Sequence, residues 1–145
     1  MSTPGGERDL AVLLRSLRPV RRPGEFTHRH LPPGGTVADL PAGLVPEATV
    51  AEDEGLTLVL PAERAGELGE PVTEGERYAW LTLRVHSALD AVGLTAAVSA
   101  ALAAAGVPAN VIAGRFHDHV LVPVAQADEA LRVLTALSGT DQPTT

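Results

Sequence analysis

The stretch NVIAGRFHDHVLVP, residues 110–123, holds the side chains best suited to chemistry: His117, Asp118 and His119 in a row. Imidazoles two residues apart can share a metal, and a His–Asp pair can orient a general base. In an extended strand His117 and His119 point to one side and Asp118 to the other. Zinc takes four ligands, usually three of them from protein in a catalytic site. The remaining histidines are His28 and His30 in THRH, and His86. Nothing in the spacing brings these to His117 and His119. Hydrolysis would also need a nucleophile and an oxyanion hole. Ser87 adjoins His86, but neighbours on a strand end point apart. No GxSxG, P-loop or GxGxxG motif is present. HDH therefore reads as a strand-starting turn beside a ligand crevice, with no metal. The alternative is a metal-binding protein or hydrolase using His117 and His119.

The second chemical stretch is SALDAVGLT, residues 87–95. It joins a strand end to a helix start, where the first N–H groups lack partners inside the helix. Those groups and the helix dipole favour a carboxylate, and Gly93 allows close approach to the backbone. A ligand carboxylate is expected on Ala91, Val92, Gly93, Leu94 and Thr95, with Ser87 or Asp90 assisting; either can instead simply cap the helix. Asn110, which can both donate and accept, opens the next strand. With Val111, Ile112, Ala113 and His117 it is expected to line the same crevice.

The elements that position these residues follow from periodicity. YAWLTLRVH, 78–86, alternates Leu81, Leu83 and Val85 against Trp80, Thr82 and Arg84, a strand with one buried face. Trp80, on the other side, is expected to pack on the other half of the chain or on a partner subunit. Leu94, Val98, Leu102 and Ala105 recur at helical spacing before Gly106. ANVIAGRF and HDHVLVPV follow as two strands around a turn. AQADEALRVLTALSG is an amphipathic helix, with Asp128 and Glu129 in its first turn. Strand, helix, strand, strand, helix is a ferredoxin-like α+β order that lacks its last strand. Another segment supplies that strand, or it is absent.

The first half is thinner. DLAVLLRSL places Leu10, Leu13, Leu14 and Leu17 on one helical face. GEFTHRHLP reads as a strand, and EATVAEDEGLTLVLPAE as two, around 48–51 and 56–60. This half buries too little to fold alone, so its strands are expected to join or pack on the second half. The expected organisation is a tail at 1–7, an N-terminal half at 8–70, a C-terminal domain at 71–138 and a tail at 139–145.

Composition narrows the function classes. The net charge is −7, which argues against nucleic acid as a partner. All 11 basic residues are Arg, and Arg15, Arg18, Arg21 and Arg22 form a local basic cluster. The absence of cysteine removes disulfides and thiolate chemistry. There is no apolar run long enough for a membrane helix and no signal-peptide pattern, so a cytoplasmic protein is expected.

The segments EGLTLVLP, HSALDAVGLTAAVSAALA, NVIAG and HDHVLVP together resemble the bacterial family of small tandem ACT-domain proteins. The resemblance covers most of residues 8–138 and is strongest from 54 onward. It implies two ACT-like units built on βαββαβ, with antiparallel sheets and helices on one face. It further implies a regulatory or sensor module, not an enzyme, that binds a small molecule such as an amino acid. It implies no cofactor, and a homodimer is expected. Where ACT domains usually carry Pro-Gly before the first helix, this chain has Val92-Gly93, which bears on the ligand contacts there. A structural subunit that binds a protein partner around Trp80 is a further alternative.

Overall fold

The computed structural model describes residues 8–85 and 91–139. In chain order the elements are α1 (Leu10–Ser16), β1 (Pro19–Arg21), β2 (Phe26–Leu31), β3 (Ala48–Glu52), β4 (Gly55–Pro61), α2 (Ala62–Ala65), β5 (Tyr78–Leu83), α3 (Leu94–Ala104), β6 (Asn110–Ala113), β7 (Asp118–Pro123) and α4 (Ala127–Leu137). Two compact units share them. One comprises residues 1–22 and 79–145, the other residues 23–78. The chain passes between the units at Arg22–Pro23 and at Tyr78–Ala79. Of the expected tails at 1–7 and 139–145, residues 1–7 and 140–145 lie outside the described residues.

In the first unit the strands run β1, β5, β7, β6. β5, β7 and β6 take the first, third and second places of a βαββαβ unit. The fourth place, for which the chain after α4 offers no strand, belongs to β1. It pairs antiparallel with β5, Pro19 against Leu83 and Arg21 against Leu81. The missing strand thus comes from the N-terminal segment. Ala79, Leu81 and Leu83 of β5 and Val120 and Val122 of β7 face one way, into the main core. The helices cover that face. α3 offers Leu94, Val98 and Leu102, one residue per turn, and its many alanines favour the helix with little bulk. α4 offers Ala127, Ala130 and Leu134. α1 is capped by the Asp9 carboxylate, which accepts the Val12 N–H at 3.1 Å, and buries Leu13 completely. Leu17, just past its end, is also fully buried.

In the second unit β4 lies between β2 and β3, antiparallel to both. β3 and β4 form a hairpin across Asp53 and Glu54, closed by Glu52 opposite Gly55. Leu58 and Leu60 of β4 face Leu44 and Ala65 in a small core of their own. Tyr78 adds one pairing at Phe26. Arg77 bonds Glu25 at 2.9 Å, and Arg29 donates to the carbonyls of His28 and Glu70 at 2.9 and 3.1 Å. Among the described residues, no helix is long and apolar enough to cross a membrane.

Candidate functional site

β6 and β7 form a ladder in which Asn110 opposes Leu121 and Ala113 opposes Asp118. Gly114 to His117 close the hairpin, with the Gly114 N–H donating to the His117 carbonyl at 2.9 Å. His117 sits in this turn, its Nδ1 3.4 Å from the Val85 carbonyl oxygen just past β5. The hairpin thus meets the chain where it leaves the sheet toward α3. Phe116 at the hairpin tip is 63% exposed.

His119 has a different environment. Its Nδ1 lies 3.1 Å from the Trp80 indole nitrogen and 3.1 Å from the Thr82 hydroxyl. An indole N–H can only donate, so Nδ1 accepts and the ring proton belongs on Nε2. The imidazole is therefore neutral. Burial is the main cause that holds its pKa below the ordinary 6.5, followed by the nearby His117 and Arg22, with Asp118 acting the other way. Burial likewise raises the Asp118 carboxyl, opposed by His119 and His117. The Arg22 guanidinium lies 4.8 Å over the Trp80 ring, and the Arg22 N–H donates to the Trp80 carbonyl. Trp80 is buried, and within this unit His119 and Arg22 lie against it. Its side does face away from Leu81 and Leu83, as alternation requires. With Nδ1 committed to Trp80, a metal would have to displace that bond. Among the described residues, no group of three or more His, Asp and Glu is placed to hold a metal ion.

The neutral His119 has a consequence for stability. The fold prefers the unprotonated ring, so its contribution is complete above about pH 6.5 and is lost as pH falls through the lowered value. His28, packed edge-on to Tyr78 and also lowered by burial, acts in the same direction. We expect His119→Gln to flatten the acid side of the stability curve measured by Trp80 fluorescence. An unchanged slope between about pH 5 and 7 would refute the assignment.

The 91–95 stretch forms the start of α3. Gly93 has φ +104° and no side chain caps the helix there. A β-carbon on Gly93 would stand 3.0 Å from Leu10 Cδ2, so α1 packs directly on this turn. Val92 is 84% exposed, Leu94 is buried and Thr95 is exposed. Ser87, Asp90 and His86 lie outside the described residues. Of the sequence-chosen residues, Ala113 and His117 stand at the hairpin end of the β6–β7 ladder and Asn110 at the other. The strand rise puts these ends roughly 10 Å apart. Val111 and Ile112 lie between them, both half-buried. Sequence reasoning missed Trp80, Thr82 and Arg22 as the surroundings of His119. The alternation of Trp80 and Thr82 on one side of β5 was the available signal.

The model of the ACT domain matches residues 76–136, and a second ACT-domain model matches residues 5–75. The chain belongs to the ACT-domain family. ACT domains are regulatory, ligand-binding modules, and the two matches make this a tandem ferredoxin-like ACT chain. A Vibrio cholerae protein of unknown function, described as a possible transport protein, is 42% identical with a TM-score of 0.77. The match covers 89% of this chain and 95% of that one. More distant structures share the fold. The aspartokinase alpha and beta subunits are 16% identical with a TM-score of 0.64, covering 83% of this chain and 97% of theirs. The ligand-free regulatory subunit of aspartate kinase from Thermus thermophilus is 13% identical with a TM-score of 0.58, covering 84% and 98%. No curated protein matches the chain in sequence.

Proposed function

We propose that this ACT chain is a sensor or regulatory module whose ligand is a free amino acid. The observation that carries the site is the start of α3, where Gly93 takes a left-handed conformation and no side chain occupies the capping position. The N–H groups of the first turn are then left to a carboxylate. His117 meets Val85 on one side of residues 86–90, and Ala91 follows on the other. An amino acid docked on 91–95 is proposed to use the His117 hairpin for its ammonium group or side chain. The reading makes the chain non-catalytic and cytoplasmic, acting as a homodimer of bacterial origin. Regulation then follows from a ligand that favours one packing of the chain over another.

Amide-resolved NMR titration with free amino acids tests the site. One amino acid is expected to shift the resonances of residues 91–95 and His117 while leaving Asp53 and Glu54, in the β3–β4 turn, in place. Shifts confined to other residues would remove this turn from the proposal.

A further inference from the structure

Arg18 and Arg84 stand directly opposite each other. The Arg84 N–H donates to the Arg18 carbonyl at 2.9 Å, continuing the register in which Pro19 faces Leu83. Directly opposed residues have β-carbons only about 5 Å apart, and like charges there are destabilising. Alternation sets both on the face opposite Leu17, Leu83 and Val85, away from the helices. Both side chains are exposed. Arg18 is held in place, one of its amino groups donating to the carbonyls of Arg15 and Leu17 at 3.2 and 2.9 Å. Arg15, one helical turn earlier, is exposed as well.

The chain has 18 acidic residues against 11 arginines, so partners are plentiful. Arg21, Arg29, Arg64, Arg77 and Arg132 each find a carboxylate within 4.0 Å. Among the described residues, no carboxylate stands within that distance of Arg15, Arg18 or Arg84. Two arginines opposed in register, with no carboxylate near them among the described residues, offer what a dianion bridging them would complete, since guanidinium and oxyanion make short, charge-assisted bonds.

We propose that Arg18 and Arg84 form a binding site for a small dianionic oxyanion, a phosphoryl group or a dicarboxylate. The site lies on the opposite side of the sheet from α3 and does not depend on the amino-acid reading.

The test is a set of thermal melts of the full chain at low ionic strength with inorganic phosphate, succinate or chloride, ionic strength matched. Phosphate, succinate or both are expected to raise the wild-type midpoint by a few degrees beyond chloride. A phosphate-only response identifies a phosphoryl ligand, and a succinate-only response a dicarboxylate. Arg84→Gln should lose that increment. Without added anion it should melt at or above wild type, because the opposed charge is gone. Arg132→Gln, which makes the same change in net charge on α4, should keep the anion increment. The proposal is overturned if neither dianion exceeds chloride, or if Arg84→Gln keeps the full increment. It is also overturned if Arg132→Gln loses as much of it as Arg84→Gln.

Discussion

Replacing Gly55 by alanine is expected to cost about 3 kcal/mol or more, the largest effect of any single methyl group added to the second unit. Gly55 has φ +131°, and a β-carbon there would fall 1.9 Å from the Leu31 carbonyl oxygen. That oxygen is backbone at the end of β2, in the strand that pairs with β4, so it cannot swing aside as a side chain would. The β3–β4 hairpin or the end of β2 must move. Gly66 supplies the comparison. It has helical φ and ψ of −61° and −18°, and nothing lies within 4 Å of its β-carbon position. Gly66→Ala is expected to stabilise by about 0.4–1 kcal/mol by restricting the unfolded chain. Denaturant melts of the two variants check both signs. Equal midpoints would mean that the β2–β4 approach is not as close as described.

Removal of residues 1–22 is expected to abolish cooperative folding of the first unit. The segment contributes Leu13 and Leu17, each fully buried in the main core, and the strand β1 on the open edge of β5. Losing one buried leucine typically costs about 2–5 kcal/mol, and a domain has about 5–15 kcal/mol in all. Two leucines and a strand together bring the loss to the size of the whole. Trp80 reports on the outcome, because it is the chain's single tryptophan and takes the Arg22 guanidinium on its ring. The truncated chain should show exposed-indole emission and no sigmoidal melt from that probe. A near-wild-type transition would show that the C-terminal segments complete their unit without the N-terminal one.

What was legible in the sequence is what repeats locally. The period of two through Leu81, Leu83 and Val85 and the helical spacing of Leu94, Val98 and Leu102 led directly to β5 and α3. The hairpin of β6 and β7 and the helix α4 were legible for the same reason, and so were β3 and β4 on either side of their acidic turn. β1 was not. It is three residues long, Pro-Val-Arg, with one apolar side chain, and it is a strand only because β5 presents an unpaired edge. No periodicity can show that. Element order left two alternatives for the missing strand, absence or supply by another segment, and only the pairing of β1 with β5 decides between them. The site divides in the same way. Gly93 at a helix start could be read from the chain, since its conformation is local. The bond from Trp80 to His119 joins residues 39 apart, and the opposition of Arg18 and Arg84 depends on a register that only the fold sets. Trp80 was expected to pack on the other half of the chain or on a partner because an exposed indole is unfavourable. The argument from exposure was sound, but sequence could not show that His119 and Arg22 lie against it.

The most direct measurement of the central claim is a thermal melt of the purified chain against each free amino acid at millimolar concentration. A ligand present at a hundredfold its dissociation constant stabilises by about 2.7 kcal/mol, a midpoint shift of several degrees for a chain of this size. A regulatory module built around the start of α3 predicts that one amino acid, or a few of similar side chain, raises the midpoint by that amount while the rest do nothing. A flat response across the panel at concentrations well above any physiological dissociation constant would contradict it.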